Sequence, residues 1–132
     1  PGGRACIQSI VIDDALFERY VQGTDFIQQY IFPGGCLPSP SRIRAAAQAA
    51  GLRVVEEFAF GYDYAETLRR WHQRFVQQRS KVQAQGFDAR FQRTWEFYLA
   101  YCEAAFDARS IDVVQYTLIK DGERPASSGT LL

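Results

Sequence analysis

Residues 24–39 constrain the fold of this chain most, because a run of large apolar side chains ends abruptly in a Pro-Gly-Gly break. The segment reads TDFIQQYIFPGGCLPS. Proline removes a backbone donor, and glycine adopts backbone angles that a helix does not use, so the break predicts a helix end and a tightly shaped turn. A turn with aromatic side chains at its edge can form one wall of an apolar pocket. The simpler alternative is a helix end that only packs against its neighbours.

Two further blocks carry a distinctive wording. Residues 62–75 read YDYAETLRRWHQRF, and residues 91–106 read FQRTWEFYLAYCEAAF, followed by DVVQ at 112–115. Together with YIFPGGCLPS, they resemble the cyclopropane-fatty-acyl-phospholipid synthases, a branch of the class I methyltransferases that use S-adenosylmethionine. In that family the segment that resembles YIFPGGCLPS follows the fifth strand. The block that resembles residues 62–75 has the pattern YxxTLxxWxxRF, and the block that resembles residues 91–115 is the closing helix with the last strand. The resemblance extends to about Lys120.

Local patterns predict alternating strands and helices. Strands are expected over residues 4–12, 52–60 and 111–119, with Val54, Val55 and Phe58 as core candidates of the second. One helix is expected after an Asp13-Asp14 cap, and a second from a Ser39 or Ser41 cap through Ala50. A third helix, with Leu68, Trp71 and Phe75 on one face, is expected to stop at Gly86, and a fourth to begin near Asp88.

Strands separated by helices predict an α/β architecture. The resemblance implies the C-terminal half of a Rossmann-like class I methyltransferase sheet, with strands in the order 5-7-6 and the last strand antiparallel. Residues 1–120 would form this part of a catalytic domain, and the Ser, Gly and Pro content of 121–132 predicts a disordered tail. Because no glycine-rich cofactor loop is present, we expect the C-terminal portion of a longer enzyme that is inactive alone. The bare outer edge of its first strand would favour self-association.

Charge and cysteine content exclude several classes of protein. Fifteen basic and fifteen acidic residues balance, which argues against a nucleic-acid partner. Residues 66–93 nevertheless hold seven basic side chains against two acidic ones, a pattern typical of a solvated helix face or of contact with anionic lipid headgroups. Three widely spaced cysteines fit neither a disulfide framework nor a zinc site, and no metal ligand set is expected. Reduced thiols and the absence of a membrane-length apolar run predict a cytoplasmic protein, at most peripheral to the inner membrane.

The resemblance implies methyl transfer from S-adenosylmethionine to the double bond of an unsaturated phospholipid acyl chain, with bicarbonate as the base. Tyr64 matches the family tyrosine that contacts bicarbonate, and Ile10 matches the residue whose backbone contacts it. Gln8 occupies the position where the family commonly has histidine. Gln8 either holds bicarbonate through its amide, or the site has lost the ion and forms another product, such as a methyl-branched chain. Cys102 matches a cysteine proposed to be catalytic, although its apolar helical neighbours favour a buried, inert thiol.

The same resemblance places substrate-binding residues in the opening segment. Phe26, Tyr30 and Phe32, with Gly34 and Gly35, would line an acyl-chain slot, because a neutral acyl chain requires apolar walls. Core packing explains each of the three aromatic residues equally well.

Other interpretations stay open. His72, the single histidine, is interpreted as a half-exposed structural residue. The chain could also belong to a methyltransferase of another lipid or small molecule, since related folds act on many acceptors. An alternative from another class is an α/β interaction module without catalysis.

Overall fold

The computed structural model describes residues 2–120, and the predicted tail at 121–132 lies outside this part of the chain. The described residues form three strands and six helices. The strands are β1 (Arg4–Ile12), β2 (Arg53–Ala59) and β3 (Ile111–Ile119). The helices are α1 (Asp14–Val21), α2 (Phe26–Tyr30), α3 (Pro40–Ala49), α4 (Gly61–Gln77), α5 (Arg79–Ala84) and α6 (Ala89–Asp107). All three predicted strands are confirmed to within one residue at each end.

The strands form one sheet in the order β1-β3-β2. Strand β3 pairs antiparallel with both neighbours, which confirms the predicted order with the last strand in the middle. In the β1–β3 pairing, Gln8 lies opposite Gln115 and Ile10 lies opposite Val113. Side chains alternate along a strand and directly paired residues share a face, so these four side chains point to the same side of the sheet.

The core consists of two clusters, one on each side of β3. On one side, Val114, Tyr116 and Leu118 pack with Val11 and with Ala47 of α3. On the other side, Val113 packs among buried residues of α4 and α6, which are Ala65, Leu68, Leu99 and Phe106. Burial on both faces explains why six of the nine residues of β3 are apolar.

In most of the helices, an acidic side chain accepts a hydrogen bond from a backbone amide of the first turn. Asp13 caps α1 as predicted, since its carboxylate accepts a 2.8 Å hydrogen bond from the amide of Ala15. The predicted side-chain cap of α3 by Ser39 or Ser41 is wrong, because Ser39 precedes the helix without such a bond. Asp14 instead accepts from the backbone amide of Ser41 at 3.2 Å and from its hydroxyl at 2.8 Å, so the cap comes from a neighbouring helix.

Four details of the predicted elements are wrong. The helix expected to continue to Gly86 is interrupted at Gln78 and resumes as α5, where Arg79 forms a two-bond ion pair with Glu96 of α6. Val55 is 40% exposed because it falls at an irregularity of register between Val54 and Glu56. Phe58, 58% exposed, lies on the face opposite the α3 cluster and stacks on Phe60. Trp71 is also 50% exposed, at the edge of the helical face expected to pack.

Strand β1 forms one edge of the sheet. Among the described residues no strand pairs with its outer side. Its last residue is covered, because the amide of Ile12 donates a 3.0 Å hydrogen bond to the carbonyl of Pro38. The exit of the Pro-Gly-Gly loop therefore shields one end of an edge that is otherwise open.

Candidate active site

The side of the sheet that carries α4 and α6 collects the predicted catalytic residues. Ile10 lies across from Val113, and Val113 packs against the cluster that includes Ala65 of α4. Tyr64 and Cys102 pack against the same cluster from α4 and α6. Gln8 and Ile10 are exposed, because the two helices cover β3 and leave this face of β1 open.

The side chain of Gln8 is held by its partner across the sheet. The side-chain nitrogen of Gln115 donates a 3.0 Å hydrogen bond to the side-chain oxygen of Gln8. This bond occupies the carbonyl end of Gln8, and its NH₂ group has no partner within residues 2–120. Gln8 therefore presents two hydrogen-bond donors, which is the polarity that an anion requires.

Tyr64 lies in the first turns of α4 and is half-buried. Its ring centroid is 5.4 Å from that of Phe106 and 6.1 Å from that of Phe60. Its hydroxyl has no hydrogen-bond partner among the described residues, whereas its ring is fixed by packing. The phenol is thus a donor in a fixed position, and no side chain or backbone group of the described residues occupies it.

Cys102 carries a thiol that resists ionisation. Burial, and secondarily the negative charge of Asp25, raise the pKa of Cys102 from 9.0 to about 11. A thiol with so high a pKa is a weak nucleophile near neutral pH. Burial also raises the pKa of neighbouring Tyr98 above its ordinary value of 10.0. These shifts favour the inert interpretation of Cys102.

The aromatic residues of the opening segment pack on α6. Phe26 meets Phe97 edge to face, with ring centroids 4.6 Å apart, and Phe32 meets Tyr98 at 6.4 Å. Tyr30 and Phe32 are nevertheless 61% and 58% exposed. The opening segment and α6 therefore form an aromatic surface that is largely exposed and is not a closed core. It consists of Phe26, Tyr30, Phe32, Phe97 and Tyr98.

The Pro-Gly-Gly loop is shaped by glycine and by two polar side chains. Gly34 has a φ of 79°, which favours glycine, and the amide of Gly35 bonds the carbonyl of Phe32 at 2.9 Å. The side-chain nitrogen of Gln28 donates to the carbonyl of Gly35 at 3.0 Å, and the hydroxyl of Tyr20 accepts from the amide of Leu37 at 3.1 Å. The loop beside the aromatic surface thus has a fixed form.

Sequence reasoning missed several residues that support this site, namely Tyr20, Gln28, Asp112 and Gln115. Gln28 had a detectable signal, because Asp25 and Gln28 have the spacing of a capping box, and both of its hydrogen bonds are present. Gln115 and Asp112 act across the fold, so only strand register reveals their partners.

Three of the seven basic side chains at 66–93, namely Arg69, Arg70 and Arg79, form ion pairs with acidic side chains of the described residues. Arg69 bonds Glu66, Glu103 and Asp107, and Arg70 bonds Glu66. Arg69 therefore links α4 to α6 and Arg79 links α5 to α6, whereas Arg70 pairs within α4. His72 is half-buried on α4, as expected for a structural residue.

The described residues contain neither a candidate metal site nor a membrane-spanning helix. Across residues 2–120 there is no group of three metal-ligating side chains. In the same part of the chain, no helix combines the length and apolarity needed to cross a bilayer.

Comparison with known proteins identifies the family. The family model described as Mycolic acid cyclopropane synthetase matches residues 1–116. The chain belongs to this family. The predicted family and the predicted class I methyltransferase fold are both confirmed.

Relatives in this family carry related names. The tuberculostearic acid methyltransferase UfaA1 of Mycobacterium tuberculosis is 46% identical over 125 residues, which are 92% of this chain and 29% of that protein. The cyclopropane-fatty-acyl-phospholipid synthase of Escherichia coli K12 is 40% identical over 92 residues, which are 68% of this chain and 23% of that protein. The chain thus spans less than a third of the length of these curated relatives.

Solved structures agree. The mycolic acid cyclopropane synthase CmaA1 complexed with SAH and CTAB superposes with a TM-score of 0.76 and 28% identity, over 90% of this chain and 45% of that chain. The cyclopropane synthase MmaA2 from Mycobacterium tuberculosis gives a TM-score of 0.79 over 91% of this chain and 45% of that chain. At 23% identity, the second likeness supports the fold alone.

Proposed function

We propose that the complete protein transfers a methyl group from S-adenosylmethionine to a carbon–carbon double bond in a lipid acyl chain. This chain would supply an apolar wall and the part of the site that holds a base. The observation that carries the proposal is the placement of Gln8, Ile10 and Tyr64 on one side of the sheet, the side on which α6 presents its aromatic surface. The names of the relatives, a tuberculostearic acid methyltransferase and a cyclopropane-fatty-acyl-phospholipid synthase, support an acyl chain as acceptor.

The aromatic surface suits such a substrate. An acyl chain is neutral and apolar, so its binding requires apolar walls, which Phe26, Tyr30, Phe32 and Phe97 supply. Attack of the double bond on a methyl group leaves a positive charge on the neighbouring carbon. Aromatic faces stabilise a cation through their quadrupole. The same side chains would therefore bind the substrate and stabilise the charge that develops in it.

Bicarbonate fits the polar end of the site. Gln8 offers a free NH₂ group, Tyr64 a hydroxyl without a partner, and Ile10 its backbone. Bound there, bicarbonate would supply a base for the proton lost when a cyclopropane ring closes. Gln8 cannot carry the charge of the family histidine, so its contribution is hydrogen bonding alone. We favour retention of the ion because Ile10 and Tyr64 are both present.

S-adenosylmethionine supplies the methyl group when it is bound. This chain has no glycine-rich loop of the dinucleotide-binding type, so we assign the main cofactor contacts to other parts of the complete protein. The described chain would then contribute acceptor binding and proton removal, and would be inactive alone. We place the enzyme at the cytoplasmic surface of the inner membrane, where phospholipid acceptors are available.

The proposal is tested by following a labelled methyl group. The complete protein is incubated with S-adenosylmethionine labelled in its methyl group and with vesicles of unsaturated phospholipid, and vesicles of saturated phospholipid serve as control. We expect label in the acyl chains of the unsaturated lipid only. Label in the headgroup, or equal label in both lipids, would exclude a reaction at the double bond.

A second product is favoured by one specific observation. Gln8 replaces the family histidine, and the relative with 46% identity is named a methyltransferase rather than a cyclopropane synthase. In this alternative the site has lost bicarbonate, the cation loses a proton from a carbon of the acyl chain to water, and the product is an unsaturated chain that carries a methyl branch. Nuclear magnetic resonance of the product distinguishes the two, since cyclopropane protons resonate well apart from those of a branched chain.

A further inference from the structure

We propose that Asp112 is a positioning residue for Tyr64, because its carboxylate fixes the first turn of α4 onto strand β3. The inference rests on the proposed role of Tyr64 in the site. It adds a residue that lies on a different element and 48 positions further along the chain.

The carboxylate of Asp112 makes two short hydrogen bonds with one oxygen. Its Oδ1 accepts from the backbone amide of Gly61 at 2.7 Å and from its own neighbour, the amide of Val113, at 2.7 Å. The amide of Phe60 also donates to the carbonyl of Val113 at 3.0 Å. The start of helix α4 is therefore hydrogen-bonded to strand β3.

The local sequence of α4 supplies no cap of its own. Phe60 occupies the position before the helix and has no side chain that can accept a hydrogen bond. The first amides of a helix need acceptors, and a negative charge near them is favourable. Asp112 meets both needs from another strand.

Gly61 allows this close contact because it has no side chain. A Cβ atom at Gly61 would lie 2.6 Å from Oδ1 of Asp112 and 3.2 Å from a ring carbon of Phe106. No other residue type fits there without displacing the carboxylate or the ring. The close approach of Gly61 and Asp112 thus sets where α4 starts.

The start of α4 determines the place of Tyr64. The amide of Tyr64 bonds the carbonyl of Phe60 at 3.4 Å, and its ring lies between Phe60 and Phe106. These are the residues that flank Gly61. A shift of the first turn would therefore move the phenol, and displacements near 1 Å are enough to lower turnover.

Asp88 provides a matched control. Its carboxylate also begins a helix, and it accepts from the amide of Phe91 at 2.8 Å. It lies in an exposed position and caps α6, which does not carry Tyr64. Loss of this cap should affect stability as loss of Asp112 does, but not the position of the phenol.

The experiment measures kcat, KM and the melting temperature of the complete protein with unsaturated phospholipid vesicles. The variants are Asp112→Ala, Asp112→Asn, Gly61→Ala and Asp88→Ala, and each Asp112 variant is also made with Tyr64→Phe. We expect Asp112→Ala and Gly61→Ala to lower kcat on the order of tenfold to a hundredfold with little change in KM. Asp112→Asn, which keeps an accepting oxygen, should restore kcat to within about threefold. Asp88→Ala should lower the melting temperature and leave kcat within about twofold.

The double variants decide whether Asp112 acts through Tyr64. If it does, Asp112→Ala causes no further loss of kcat once Tyr64 is phenylalanine. An equal loss in both backgrounds, or no rescue by asparagine, would overturn the positioning role and leave the proposed function intact. Normal turnover of Tyr64→Phe alone would instead refute the role of Tyr64 and this inference with it. Should Asp112→Ala not fold, Gly61→Ala is measured with and without Tyr64→Phe and gives the same decision.

Discussion

Gln8 and Gln115 are joined across the β1–β3 pair by a 3.0 Å hydrogen bond in which Gln115 is the donor. The bond orients the Gln8 amide with its two donors free. Gln115→Leu should release this orientation and raise the bicarbonate concentration needed for half-maximal rate by about twofold to tenfold, the value of one ordinary hydrogen bond.

The measurement is the initial rate of the complete protein against added bicarbonate. Gln48→Leu serves as the control, because Gln48 is an exposed glutamine of α3. Identical bicarbonate curves for Gln115→Leu and wild type would show that Gln115 does not organise the site.

Local signals in the sequence were sufficient for the elements that carry the site. Predictions are confirmed for the Asp13 cap, the alternating strands and the Pro-Gly-Gly break. Each of these features depends on residues that lie close together in the sequence. The prediction for Phe58 was wrong, because exposure of a strand residue depends on which side the helices cover. No local pattern shows that α4 and α6 leave part of that side open.

Contacts across the fold were beyond reach from sequence alone. Asp112 bonds Gly61, and Asp14 bonds Ser41, through pairings that only the folded chain creates. The ion pair of Arg79 with Glu96 is of the same kind, since it joins two helices. Polar side chains lack the periodic signal that identifies apolar ones.

Cys102 should react slowly with alkylating reagents. Burial raises its pKa to about 11 from 9.0, so at pH 8 its thiolate fraction is lower on the order of a hundredfold than that of an ordinary thiol. Mass spectrometry after iodoacetamide treatment should show Cys6 and Cys36, both exposed, modified first. Cys102→Ala should also retain turnover within about threefold. Rapid modification of Cys102, or a folded Cys102→Ala without activity, would restore a catalytic role.

The ion pair of Glu57 with Arg44 should make stability depend on pH. Arg44 donates two hydrogen bonds to Glu57, at 2.7 and 2.9 Å, and these lower the pKa of Glu57 below 4.5. Stability from the pair is therefore present above about pH 4.5 and is lost as pH falls through the lower folded pKa. Glu57→Gln should cost about 0.5–1 kcal/mol at neutral pH, an amount typical of a partly exposed pair.

Denaturant unfolding of the complete protein at neutral and acidic pH measures this effect. The control is Glu18→Gln, since Glu18 makes a single 3.2 Å contact with Arg42 and both side chains are mostly exposed. A cost for Glu57→Gln that is equal at both pH values would contradict the pairing.

Single-turnover transfer of labelled methyl to unsaturated phospholipid tests most directly the claim that Tyr64 takes part in methyl transfer to an acyl chain. Tyr64→Phe in the complete protein is compared with Tyr62→Phe, which removes a hydroxyl from a 61% exposed tyrosine of the same helix. We predict that Tyr64→Phe raises the barrier by about 2–4 kcal/mol, the cost of one lost donor in a dry site, while its melting temperature stays that of wild type. Tyr62→Phe should transfer label at the wild-type rate. Equal rates for both variants would contradict the claim and leave Tyr64 as a packing residue.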